Sequence, residues 1–283
     1  RVHAAPAQAA IGAWDDRFVA VGVEGKATAI AVAPDGVVYV GGEFTKAGGI
    51  AARHNARWDG RRWQPLGEGI DGDVYAIAVD GNDIYVAGKF GVAGGVTANG
   101  IARWDGAAWS TVGDGSGPID DYFGTPQPGR IYAMLISGGK LYVGGDFVAM
   151  DGVTAHNVAQ WDGATWSALG EGMGELDWEN KFVPQATVYA LATDGATLYA
   201  GGDFKLADGA TANSMAQWDG TTWSALGSGV TLTDGNGEAQ KGTVKALALH
   251  NGALYAGGWF DTAGGKAANH IAVWQGNGWN PLG

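Results

Sequence analysis

Cysteine is absent from the 283 residues. A disulfide framework, a thiolate nucleophile and a Cys-ligated zinc are therefore excluded. Basic residues are scarce, 17 Lys plus Arg against 29 Asp plus Glu, for a formal charge of −12. Such a surface repels phosphate backbones and anionic lipid headgroups, so no nucleic-acid partner is expected. No run approaches the roughly 18 apolar residues that span a bilayer, and no membrane insertion is expected. The opening Arg1 to Ala10 is Ala-rich without an apolar signal core, and reads as a linker or as the start of a mature chain.

Glycine and tryptophan are abundant. There are 51 Gly, more than twice the usual share of about 7%, with no collagen-like period, which points to many tight turns. The 13 Trp argue against a disordered chain.

These residues fall into a repeat. The anchor Tyr-Val-Gly-Gly-x-Phe occurs, with small variations, at Tyr39 to Phe44, Tyr85 to Phe90, Tyr142 to Phe147, Tyr199 to Phe204 and Tyr255 to Phe260. After each comes Trp-Asp-Gly-x-x-Trp-x-x-Leu-Gly or a close variant, with Trp pairs 58/63, 104/109, 161/166, 218/223 and 274/279. A degenerate copy, Trp14-Asp15-Asp16-Arg17-Phe18 with Val21-Gly22, precedes the first full repeat. Each repeat divides into four short runs rich in Val, Ile, Tyr and Trp, as in Val74–Val79, Ile84–Ala87, Ile101–Trp104 and Trp109–Val112. Turn signals such as Asp80-Gly81-Asn82-Asp83 and Asp105-Gly106 separate them. No ten-residue stretch carries a helical period.

Four strands per repeat predict an all-β fold, a β-propeller of four-stranded antiparallel blades. It is expected to be a single domain over residues 11–283, with 1–10 outside it. Five blades with the Trp14 half-unit at the seam is one closure. The alternative is six blades, the sixth half-filled and completed by another chain. The motif order resembles the kelch-type blade, and still more the kelch-related repeats (the delta-60 kind) of large bacterial surface proteins. That resemblance implies a secreted or cell-surface location, and says little of function because propellers host unrelated activities.

Recurrence marks the scaffold. Eleven of the 13 Trp sit at repeat positions and are expected to pack between blades. Asp59, Asp105, Asp162 and Asp219 read as turn formers, and the paired glycines as places of close backbone approach or positive φ.

Function is therefore sought where the pattern breaks. Short turns crowd one face of the ring, while long, irregular connections occupy the other. Three expanded connections, 114–129, 171–187 and 228–243, carry Tyr122, Phe123, Trp178 and Phe182 beside acidic residues. Trp259 stands in the slot after Gly-Gly where other repeats have Glu43, Lys89, Asp146 and Asp203. Aromatic platforms next to carboxylates suit a protein partner, self-assembly or a glycan. The competing expectation is that Trp178, Phe182, Tyr122 and Phe123 fold back to pin their own loops.

No catalytic centre is expected. A glycosidase or polysaccharide lyase would need paired carboxylates facing the central channel, and the inner-strand runs hold no Asp or Glu. Asp146, Asp203 and Glu43 occupy equivalent slots and read as solvated loop carboxylates. Ser-His-Asp chemistry lacks a supporting motif. His54, His156 and His270 fall in different blades, too far apart to share a metal, and a copper-radical oxidase would need a cross-linked Cys. No cofactor is expected. Calcium at Asp234, Asn236 and Glu238 is a minor alternative, because an EF-hand-like loop would place Glu where Lys245 stands. The leading reading is a non-enzymatic extracellular binding or scaffold module of a surface layer, appendage or adhesin. A lectin-like carbohydrate binder comes second.

Overall fold

β-branched and aromatic runs separated by Gly and Asp turns favour strands throughout. The computed structural model describes residues 22–120 and 126–282, and among them it contains strands and no helix. Five antiparallel sheets each hold four main strands paired in chain order. The first consists of Val23–Val32, Val38–Ala47, Asn55–Trp58 and Trp63–Pro65. The second consists of Asp73–Asp80, Asp83–Lys89, Ile101–Trp104 and Trp109–Thr111. The third consists of Arg130–Ser137, Lys140–Asp146, Val158–Trp161 and Trp166–Ala168. The fourth consists of Thr187–Thr193, Leu198–Asp203, Met215–Trp218 and Trp223–Ala225. The fifth consists of Thr243–His250, Ala253–Trp259, Ile271–Gln275 and Gly278–Pro281. The first strands of successive sheets lie side by side, which makes them the inner strands of a propeller-type array.

A bulge early in each inner strand (Val74/Ala76, Ile131/Ala133, Val188/Ala190 and Val244/Ala246 in sheets two to five) resets the alternation of side chains. It turns Val74 and Ile77 together onto the preceding sheet, over Gly41. A Cβ at Gly41, Gly144 or Gly201 would overlap Val74, Val188 or Val244 of the next sheet. One at Gly42, Gly88, Gly145, Gly202 or Gly258 would overlap an inner-strand carbonyl. Close approach is thus the reason for the paired glycines; none of these eight has a positive φ.

The recurring aromatics fill the space between sheets. Phe44, Phe90, Phe147, Phe204 and Phe260 are all buried. The two Trp of each sheet meet at 5.3 to 5.6 Å between ring centroids. The second donates its indole N–H to the sheet before it: Trp109 to the Leu66 carbonyl, Trp166 to Val112, Trp223 to Leu169 and Trp279 to Leu226. Four apolar cores result, one between each adjacent pair of sheets, and a fifth cluster that includes Val40, Phe44 and Ala56 lies within the first sheet.

Among the described residues each end of the array leaves apolar side chains open, although on the first sheet Val40, Phe44, Ala47, Ala52 and Ala56 are buried in a cluster of their own. Ile30 and Val32 stand where Ile77 and Val79 pack on a preceding sheet, yet they are 69% and 64% exposed. On the fifth sheet Ile271 is 43% exposed, whereas its counterparts Ile101, Val158 and Met215 are fully buried. Among the described residues no packing comparable to that between neighbouring inner strands joins Thr243–His250 to Val23–Val32. The Trp14 half-repeat lies outside the described residues.

The connections on the variable face are more regular than their sequences suggest. The three expanded ones are β-hairpins: Pro118–Asp120 with Pro126–Pro128, Met173–Leu176 with Phe182–Val183, and Val230–Thr233 with Ala239–Lys241. The second-to-third connections of sheets two to five are also small hairpins, such as Val92–Ala93 with Val96–Thr97. Met173–Leu176 pairs with Leu206–Ala207, and Val230–Thr233 with Thr262–Ala263. Each of those long connections therefore extends the loop hairpin of the following sheet into a small sheet of its own.

Candidate functional site

Antiparallel register brings the slot after Gly-Gly opposite a residue near the start of each inner strand, on the long-connection face. The pairs are Lys26 with Glu43, Asp73 with Lys89, Arg130 with Asp146, Thr187 with Asp203 and Thr243 with Trp259. The inner strands reach further than their apolar runs, so Asp73 and the cations Lys26 and Arg130 belong to them.

These carboxylates are not simply solvated loop groups, as their sequence positions suggested. They end or border strands and hold cations. Glu43 accepts from Lys26 Nζ at 2.8 Å. Asp146 faces Arg130 at 3.5 Å. Asp203 lies 2.7 Å from Lys241 Nζ, which reaches over from the hairpin before the fifth sheet and also bonds Glu175. Burial pushes the Asp146 carboxyl above its ordinary range, and Arg130 pulls the other way. Burial would lower the Lys241 ammonium, but its bonds to Asp203 and Glu175 win and raise it.

Trp259 occupies the fifth slot opposite Thr243, and the residue is 70% exposed. Trp178 is 89% exposed at the tip of the Met173–Leu176/Phe182–Val183 hairpin. Asp177 fixes that tip by accepting from the Glu179 and Lys181 amides. Phe182 behaves otherwise: half-buried over Gly174, it lies 5.5 Å from the His156 ring. The expectation that the loop aromatics fold back therefore fits Phe182 and fails for Trp178. Tyr122 and Phe123 lie outside the described residues.

A row of inner-strand side chains escaped selection as candidates. Tyr75, Tyr132 and Tyr189 follow the buried aliphatic residue in three consecutive repeats; Thr28 and Lys245 take the place in the first and fifth. Tyr75 stacks on Tyr132 at 5.1 Å and 19°, and Tyr132 meets Tyr189 at 5.2 Å. Lys245 Nζ sits 3.2 Å above the Tyr189 ring, in a cation–π contact. Burial and the neighbouring Asp73 push the Tyr75 hydroxyl up to about 12. The signal was the recurrence itself, at a bulge position where a core residue is not required.

The turn aspartates act as expected. The Oδ1 atoms of Asp59, Asp105, Asp162 and Asp219 each accept two amides from the residues two and three ahead. Asp234 does the same with the Asn236 and Glu238 amides, so its carboxylate closes the hairpin turn. Among the described residues no group of three or more His, Asp or Glu side chains converges as a metal site would. His54 lies by Asp73 at 3.8 Å, and His156 bonds the Glu171 carbonyl at 2.9 Å.

No family model matches the sequence, and no curated protein matches it significantly. Among solved structures it is similar to the extracellular domain of a hybrid two-component system from B. thetaiotaomicron. The TM-score is 0.51 at 13% identity, over 88% of this chain and 27% of that one. YCF48 bound to D1 peptide is also similar, with a TM-score of 0.47 and 13% identity over 93% of this chain and 69% of that one. The first likeness agrees with a propeller-type fold; this chain spans only 27% of that protein's length.

Proposed function

We propose that this chain is a non-enzymatic extracellular binding or scaffold module, of kelch-like or delta-60 kind, that engages a partner through its long-connection face. The observation that carries the reading is the contrast on that face. Its two non-repeat indoles, Trp178 and Trp259, are largely exposed, while Glu43, Asp146 and Asp203 are engaged by cations. Exposed indoles anchor interfaces, and a carboxylate held by a cation is poorly placed to move protons. The outward location rests on the surface-protein character of the repeats and on the extracellular domain among the similar structures.

A lectin is the second reading, favoured by Trp259, an open apolar platform on the rim that carries the acidic slots. Glycan-array binding separates the two. Specific binding abolished in Trp259→Ala establishes the lectin; absence of glycan binding supports a protein-binding scaffold. Sugar release from polysaccharides, lost in Asp146→Asn, would overturn both.

A further inference from the structure

The end faces of the array carry the same residue types as the two sides of each internal interface. Four times within the chain, a face bearing Val74, Ile77 and Val79 or their counterparts packs on a face bearing a small residue at Gly41, Ala87, Gly144 or Gly201 and the Tyr of the anchor. Among the described residues no sheet precedes the first, which presents the former face with Ala27, Ile30 and Val32 exposed and Trp63 half-buried beside the Val40–Phe44 cluster. The fifth presents the latter, Ala246, Ala248, Gly257 and Ile271, with no sheet after it among the described residues. A Cβ at Gly257 would meet open space save for the His270 carbonyl at 3.9 Å, while its counterparts Gly41, Gly144 and Gly201 are pressed by the next sheet.

A polar group says what kind of molecule completes this interface. The indole N–H groups of Trp109, Trp166, Trp223 and Trp279 each find a backbone carbonyl of the preceding sheet. Trp63 holds the same place in the first sheet, and among the described residues its N–H finds no acceptor. The Trp63 N–H is not among the buried unpaired atoms, so it is open to solvent here; a polypeptide that covered this face would supply the carbonyl that the other four indoles find, as buried donors require.

We infer that the uncovered faces form a docking site for an inner-strand β-hairpin supplied by a partner polypeptide. Its Val/Ile-bearing side would lie on Gly257 and Ile271, and its Ala/Tyr side on Ile30 and Val32. The chain's own Asp73–Lys89 hairpin has both sides and serves as the model of the partner. Its Val74 and Ile77 face backwards, and its Ala76 and Ala87 forwards. The site is independent of the long-connection reading, because none of these residues belongs to that face.

The absence of cysteine makes the test direct. In the Ile30→Cys variant the only thiol sits on the site, and its maleimide labelling rate reports cover. A peptide of residues 73–89, closed into a ring by a Gly linker to hold it as a hairpin, is expected to slow labelling at least ten-fold at saturation. The same peptide with Val74→Lys and Ile77→Lys should leave the rate unchanged, as should the parent peptide on an Ile30→Cys/Ile271→Lys chain. A Trp178→Cys chain should label at one rate throughout. Slow labelling of Ile30→Cys without peptide would mean that the chain closes its own seam, and would overturn the inference. So would a rate insensitive to the parent peptide, or equal protection by the charged one.

Discussion

The Trp166 indole reaches from the third sheet into the second, donating its Nε1–H to the Val112 carbonyl at 2.9 Å. This bond joins residues 54 apart in two successive repeats, and its equivalent recurs at each of the four internal interfaces. Replacing Trp166 with Phe removes the donor and strands the carbonyl, at an expected cost of about 1–3 kcal/mol. Trp63→Phe removes no such bond and should cost well under half as much. Urea titrations of the two variants check the difference.

Glycine should matter by position. A methyl at Gly145 would overlap the Arg130 carbonyl, so Gly145→Ala is expected to destabilise by about 1–3 kcal/mol or more. Gly257→Ala, facing open space, should lie within about 0.5 kcal/mol of the parent. Equal losses in chemical denaturation would contradict the packing described for the fifth sheet.

Asn55 opens the third strand of the first sheet, where the other sheets carry Ile101, Val158, Met215 and Ile271. It is buried, and neither atom of its amide has a hydrogen-bond partner. Asn55→Val should therefore stabilise the fold by about 1–2 kcal/mol, seen as a higher thermal midpoint. A lower midpoint would show that the amide has a role.

Acid should weaken the turns. Amide donors hold Asp59, Asp105 and Asp162 below the ordinary carboxylate range, and Asp219 down to about 2. A depressed folded-state value stabilises above the unfolded value of about 4 and is lost as pH falls through the folded one. The thermal midpoint should thus drop between about pH 4 and pH 2. Asp146 opposes the trend, since burial raises it and its protonation favours the folded state. Asp219→Asn keeps an acceptor for the turn without its titration, and should flatten the pH profile.

The scaffold was legible because a repeated residue has a repeated job. Trp at fixed spacing could only be mortar, and Asp before Gly could only close turns. Glu43, Asp146 and Asp203 were found as positions, but their partners were not. Lys241 comes from a different repeat, and Arg130 precedes the apolar run by which an inner strand is recognised. The expanded connections read as irregular because strands of two to four residues lack a visible alternation. Their pairing with the next loop hairpin is a tertiary effect. Trp178 and Phe182 lie four residues apart in one hairpin, yet one is open and the other packed. Only the fold decides between them.

Contacts in this molecule run almost wholly between neighbours, so stability adds up along the array and no distant part underwrites the rest. Among the described residues the middle three sheets are flanked on both sides and the outer two on one. Fraying should then begin at the termini and travel inward, with amide protons of Val38–Val40 and Leu254–Ala256 exchanging before those of Leu141–Val143. Whatever seals the open sides would remove the fraying points and turn a row of sheets into a closed cooperative unit.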